Sequence, residues 1–403
     1  MRTLTALLLA CLAPTLAGAA HTVTISAGKF DRTDTPVTFP LPQGLDPKAN
    51  YGLVRDGQTL PLQLLPENRA AFVLKSLKAG ESATYSLESV PWVTRPPLPT
   101  DLTAREDDTN VTLKIGEKTV FRYNGKPTEL PDGYDPSLKR GGYLFPVLTP
   151  SGRVITDDYP PMHKHHHGIW FAWTATQFED RKPDFWNMGQ KKGTVEFVKL
   201  DAHYAGPVAG GVRTTHRYVD LSAKDGRKPV LNETWDVTAW GVGQGAEKPY
   251  FVFDVNVTHE TATDKPLKLP KYHYGGIGFR GHRDWNAKRP DAYTALTSEG
   301  KDRKTANEST ARWCHMGGKV EGETVGLAIL DHPSNFRHPT PLRVHPSEPF
   351  MCIVPQVAGD FSIEPGKPYV AKYRIVVSDG AADSKLLDRI WNDYGKPVEV
   401  TVK

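Results

Sequence analysis

Four of the fourteen histidines of this chain fall within five positions, His163, His165, His166 and His167, and Gly168, Trp170, Phe171, Trp173 and Trp186 follow them. Imidazole changes charge nearest neutral pH, and it is also a common ligand of Zn and Cu. In extended backbone alternate side chains share a face, which would group His163, His165 and His167 and turn Lys164 and His166 the other way. Three chemistries fit that spacing. His163, His165 and His167 could grip Cu or Zn, one imidazole could move a proton, or several could bind a polyhydroxylated ligand beside aromatic rings. The bland alternative is a solvated basic loop, although the run lies mid-chain, between Pro160-Pro161 and an aromatic stretch, and not at a terminus as a tag would.

Two further clusters offer similar chemistry. KLPKYHYGGIGFRGHRDW, residues 268–285, sets His273 between Tyr272 and Tyr274, then Gly275-Gly276, then Arg280, His282 and Arg283. The glycine pair is expected to let the backbone pass close to a ligand. LDHPSNFRHPTPLRVHPSEPF, residues 330–350, carries His-Pro pairs at His332, His338 and His345 with Asp331, Arg337, Arg343 and Glu348. A loop stiffened in this way either lines a site or is rigid surface. Imidazoles, carboxylates, guanidiniums and aromatic rings together are the inventory of a carbohydrate or hydroxy-acid site. Acid–base work needs two groups of different pKa, which a His with a Glu supplies near neutrality. Trp170, Trp186, Arg280, His338 and His345 are the expected ligand contacts, and this main reading requires no cofactor. No GxSxG, HExxH, P-loop or Rossmann fingerprint occurs, which argues against serine hydrolysis, nucleotide chemistry and dehydrogenation.

The elements that must position these groups read as strands. From His21 to about Leu87, HTVTISAG, TPVTFPLP, YGLVRDGQTLPLQLLPE, AAFVLKS and ATYSLESV alternate apolar and polar residues between turn signals, with Asp56-Gly57 as a hairpin turn. A small β-sandwich domain is expected over 20–90, and the Pro-rich, then polar stretch 91–110 reads as a linker. A large domain should fill 111–403, with strands at 111–115, 119–123, 143–148, 194–200, 212–221, 229–240 and 250–258. Leu231, Glu233, Trp235 and Val237 would share one face of their strand. One helix is expected in DSKLLDRIWNDYG, N-capped by Asp383 or Ser384, with Leu386, Leu387, Ile390 and Trp391 as its apolar stripe. The fold class is all-β.

The 50 basic and 46 acidic groups leave a charge of only +4, with no Lys/Arg block, so nucleic acid is not an expected partner. MRTLTALLLACLAPTLAGAAH has the charge, apolar core and small residues of a secretory signal, with residues 1–19 removed. Secretion or a periplasmic location follows, and a lipid anchor at Cys11 is disfavoured by the bulky Leu9. No segment approaches the ~20 apolar residues of a membrane span. Cys314 and Cys352 would then remain, able to pair if they approach, and without a CxxC a thiolate zinc site is not expected.

The pattern HxHHHGIWFAW, DFW, YHYGGIGFRG, DHPSNFRHP and VHPSEPF, between about Val111 and Val377, resembles the PmoA-like family of secreted bacterial proteins, a group of unknown function labelled "methane oxygenase PmoA". That label implies an oxygenase with a His-ligated metal. A more distant similarity is to aldose mutarotases, through HHGIWFAW, KYHYGGIGF, SEPF and IEPGKPYVAKYRIVV in the same order. It implies a large two-sheet supersandwich of the galactose mutarotase type, with His167 on the sugar oxygen, His273 as general acid and Glu348 as general base. The resulting expectation is carbohydrate chemistry on the concave face of that supersandwich, with a His-ligated Cu or Zn enzyme and a non-catalytic glycan-binding protein as the alternatives.

Overall fold

The computed structural model describes residues 21–46, 48–90, 100–285 and 292–403. The expected signal peptide and the first part of the expected linker, 91–99, lie outside them. Strand makes up 51% and helix 6%, so the all-β expectation holds.

In the N-terminal domain the strand order is Arg32–Pro40, Arg69–Leu77, Gln58–Leu65, Tyr51–Arg55, Ser82–Ser89, His21–Ser26, Glu399–Val402. Gln58–Leu65 serves two partners, pairing through Gln58 to Leu62 with Tyr51–Arg55 and through Gln63 to Leu65 with Arg69–Leu77. The sheet therefore folds over on itself and encloses Val23, Ile25, Phe39, Leu53 and Phe72. Asp56 and Gly57 form the expected two-residue turn, both with positive φ, between the paired Arg55 and Gln58. The last strand belongs here too, with Val402 opposite Val23. That corrects the expected division at 111–403, and the pairing covers a sheet edge that His21–Ser26 would otherwise leave open.

Two eight-stranded antiparallel sheets make the large domain. The front sheet runs Leu342–Val344, Phe350–Ile353, Gly276–Arg280, Ile169–Ala172, Tyr143–Val147, Lys118–Asn124, Asn110–Ile115, Leu102–Asp107. The back sheet runs Gly193–Tyr204, Ala209–Asp220, Lys228–Trp240, Tyr250–Thr261, Tyr369–Asp379, Glu323–Asp331, Trp313–Val320, Tyr293–Thr297. Their facing sides share one core that includes Leu113, Phe121, Phe171, Trp235, Phe253, Ile277 and Ile375. Leu102–Asp107, expected as linker, is the front sheet's edge strand: Leu102 and Ala104 face the core while Thr103, Arg105 and Asp107 face out, a charged pattern suited to an edge.

The helix, Ser384–Gly395, is capped by Asp383, whose carboxylate accepts from Leu386 N–H at 3.0 Å. Its Leu387, Ile390 and Trp391 bury against Trp240, Trp313 and Leu330 of the back sheet. It also ties the domains, since Arg32 meets Asp393 at 3.0 Å in a buried ion pair. Cys314 faces the shared core and Cys352 the outer side of the front sheet, and both are free thiols. Among the described residues no helix is long and apolar enough to cross a membrane.

Candidate functional site

Strand alternation sends Ile169 and Phe171 into the core and Trp170 and Ala172 to the outer face of the front sheet. Gly278 lies directly opposite Trp170, and a Cβ there would stand 2.9 Å from the indole, so glycine is what lets this ring lie across its neighbouring strand. Tyr143, Trp186 and Phe350 complete a second apolar layer on this face, with Trp170 and Trp186 at 4.9 Å. Trp170 and Trp186 are both buried, so they form a floor and cannot stack a ligand.

The histidine run lies over that floor. It is not extended: His163 N–H donates to Pro160 O and His166 N–H to His163 O, so turns set the side-chain directions. His163 stacks on His166 at 4.7 Å, His165 meets His166 edge-on, and His345 approaches His163 at 5.9 Å. His167 points away from them, between Tyr143 and Tyr159 at 4.4 and 4.8 Å, with Nδ1 2.7 Å from Asp158 Oδ1. Tyr143 OH donates to the other Asp158 oxygen at 2.9 Å. The expected trio His163, His165 and His167 is thus split, because its two-residue periodicity holds only in a strand. Among the described residues no three His, Cys, Asp or Glu side chains are grouped as a metal site would need.

Beside the imidazoles lies an ion pair. Arg280, 4% exposed, donates through Nη2 to Glu348 Oε2 at 2.9 Å, while its Nε and Nη1 have no partner. The loop carrying Glu348 is held by Tyr293 OH on its carbonyl at 2.8 Å and by its own N–H on His345 Nδ1 at 3.0 Å. That contact makes Nδ1 the acceptor and leaves the proton of neutral His345 on Nε2. His163 Nδ1, His166 Nδ1 and His167 Nε2 are buried without partners. Burial, reinforced by neighbouring positive charge, lowers the pKa of His163 and His166 and pushes His165 and His345 down to about 4. Burial also lowers the pKa of His167, against the pull of Asp158. The cluster is neutral at pH 7, rich in donors and acceptors that the protein leaves unused.

A family model of unknown function, DUF6807, matches residues 110–392. The chain belongs to this family. No protein of curated function matches it. Among solved structures, a glycosyl hydrolase family 38 protein from Enterococcus faecalis aligns with 95% of this chain and 47% of its own at 10% identity, with a TM-score of 0.43. An α-mannosidase from Enterococcus faecalis V583 aligns over 95% and 46% at 9% identity with the same score, and heparan sulfate lyase HepC from Pedobacter heparinus over 70% and 35% at 10% identity, with a TM-score of 0.31. The DUF6807 chain therefore spans less than half the length of these structures.

In this DUF6807 chain the expected residues divide. His163, His165, His345, Arg280 and Glu348 share one patch over Trp170 and Trp186. His273 sits at its rim, half-buried, stacked on Tyr272 at 4.5 Å and tilted against Tyr274 at 4.4 Å, with Tyr274 against Phe350 at 5.9 Å. Burial and the charge of Arg343 lower its pKa. His338 is elsewhere: it donates to Asp331 at 2.8 Å and stacks on Trp391 of the helix. The glycine pair also differs from expectation, since Cβ atoms at Gly275 and Gly276 would strike Gln356 Oε1 and Ile353 O, so these positions admit protein and not ligand. The sequence reading missed Asp158. Its signal was the Asp157-Asp158 pair just before the run, and only the fold shows which carboxylate His167 meets.

Proposed function

We propose that this chain binds a carbohydrate over the outer face of the front sheet and acts on it by acid–base chemistry. The observation that supports the reading best is the adjacency of the buried Arg280–Glu348 pair to the neutral imidazoles of His163 and His345, beside a rim of Tyr272, His273 and Tyr274. Sugars present apolar C–H faces and polar hydroxyls, which half-exposed aromatic rings and neutral imidazoles match.

A neutral imidazole takes a proton from a sugar hydroxyl, or from a carbon beside a carbonyl, and returns it once the bond change is complete. Glu348 stabilises the imidazolium between those two events, and His345 Nε2–H donates a hydrogen bond to the ligand. His273 acts from the rim, and His167, oriented by Asp158 as a proton acceptor at Nε2, lies beneath. The test is a glycan-binding screen of the whole chain, followed by NMR of any bound sugar for proton exchange or epimerisation. Binding with conversion that Glu348→Gln abolishes supports the reading, and binding with no conversion reduces it to glycan recognition. No sugar bound at millimolar concentration removes it.

A further inference from the structure

Resting on the carbohydrate reading, we infer that the ligand is an acidic sugar whose carboxylate is received by Arg280. A buried guanidinium with two of its three nitrogens unpartnered is costly to a fold, because each unmade bond leaves the desolvation of a charged donor uncompensated. Glu348 accepts only from Nη2. Arg280 also comes from Gly276–Arg280, a central strand, so it is held by a rigid ladder and not by a loop that could swing it to water. The arrangement makes sense if an acceptor arrives with the ligand.

Charge sets what kind of acceptor. Of the arginines in or beside the patch, Arg283 is bonded to Asp157 at 2.8 Å and Arg280 to Glu348, while Arg343 has neutral hydrogen-bond partners, Asn307 at 2.9 Å and the Tyr274 hydroxyl at 3.0 Å. Arg343 at the rim favours an anionic acceptor over a neutral one, and the Glu348 carboxylate on Arg280 disfavours a dianionic phosphate beside it. A planar carboxylate also matches the planar N–H fork of arginine. Arg343 lies one strand beyond Phe350–Ile353, opposite Cys352, and stacks on Tyr274 at 4.8 Å, so the same ring that would carry a sugar face brings a second cation to the rim. Arg280 and Glu348 keep 5% and 11% of their side-chain surface open, so the reach from solvent is short.

The test is calorimetric titration of the full chain with oligosaccharides containing glucuronate, galacturonate or mannuronate. Each is paired with its neutral hexose counterpart, its methyl ester and a sulfated hexose. We expect at least one uronate to bind tenfold or more tighter than its ester and its neutral counterpart. Arg280→Gln should erase that difference, Arg280→Lys should restore part of it, and Arg343→Gln should weaken binding less. Circular dichroism of each variant separates lost binding from lost folding. If the neutral or sulfated sugars bind as well as the uronates, or if Arg280→Gln leaves uronate affinity unchanged so that ordered water alone serves Arg280, the inference falls while the carbohydrate reading survives. If glycolate, a monocarboxylate that is not a sugar, binds as tightly as any uronate and depends on Arg280, the carboxylate site stands and the carbohydrate reading falls. Binding of no probe overturns both.

Discussion

Histidine and glutamate come together both between the sheets and on the outer face, and these two meetings are opposite in kind. Between the sheets, His216, Glu233 and His259 stand side by side on three adjacent back-sheet strands. Glu233 receives His216 Nδ1 at 2.6 Å and His259 Nε2 at 2.8 Å, with the Tyr218 hydroxyl at 3.0 Å, and Tyr123 of the front sheet closes on His216 Nε2 at 2.6 Å. Burial pushes the Glu233 carboxyl up, but the two imidazole hydrogen bonds prevail and hold it below the usual carboxylate range. Apart from His259 Nδ1, which needs only a lone pair, the ring and carboxylate atoms of this trio are spoken for. On the outer face, by contrast, His163, His166, His167 and Arg280 all carry buried nitrogens with no partner. The core uses these residue types to join two sheets, and the outer face leaves them waiting. Residue type alone does not mark a site; what sets the outer face apart is the grouping of several unpartnered nitrogens in one patch.

That contrast can be broken by mutation. Glu233→Ala strands two buried imidazoles and should cost about 3–5 kcal/mol of stability in denaturant unfolding; a loss under 1 kcal/mol would show that the trio does not join the sheets. Asp158→Asn weakens the one charged partner of His167 and should cost about 1.5–3 kcal/mol, read the same way. Arg280→Met combined with Glu348→Gln removes an under-satisfied pair, so stability should stay level or rise by up to about 2 kcal/mol while ligand binding disappears. A loss as large as that of Glu233→Ala would make the outer pair structural and erase the distinction.

The smallest effect is on pH dependence. His165 and His345 have folded pKa values of about 4, below the ordinary 6.5, so unfolding takes up protons as pH falls through that interval. Stability is full above pH 6.5 and declines between 6.5 and about 4, modestly, because His345 is half-exposed. Glu233, with its lowered carboxyl, contributes to the loss only below the ordinary Glu value of 4.5. His345→Asn should lessen the decline over the upper interval, leaving the part due to His165, and leave the lower one unchanged, as followed by the denaturation midpoint against pH. An unchanged upper slope would mean that His345 is not desolvated.

The sequence by itself determined much of the scaffold. Period-two alternation placed the long strands, Asp56-Gly57 gave the hairpin, and Asp383 with Leu387, Ile390 and Trp391 gave the helix, because each depends on backbone preferences and burial within a few residues. It also singled out His163, His165, His345, Arg280 and Glu348 by type and motif. Tertiary structure decided what those residues do. Turns at Pro160 and His163 overrode the alternation that would have grouped His163, His165 and His167, and the loop before Pro339 carried His338 to the helix. Loops packed over the outer face buried Trp170 and Trp186, which local sequence could not distinguish from exposed plates. Glu233, read as one more position on an apolar face, became the centre of a buried network only through registration with strands 17 and 26 residues away. Strand pairing and loop closure act between residues far apart in the chain, and the free nitrogens of Arg280 depend on both.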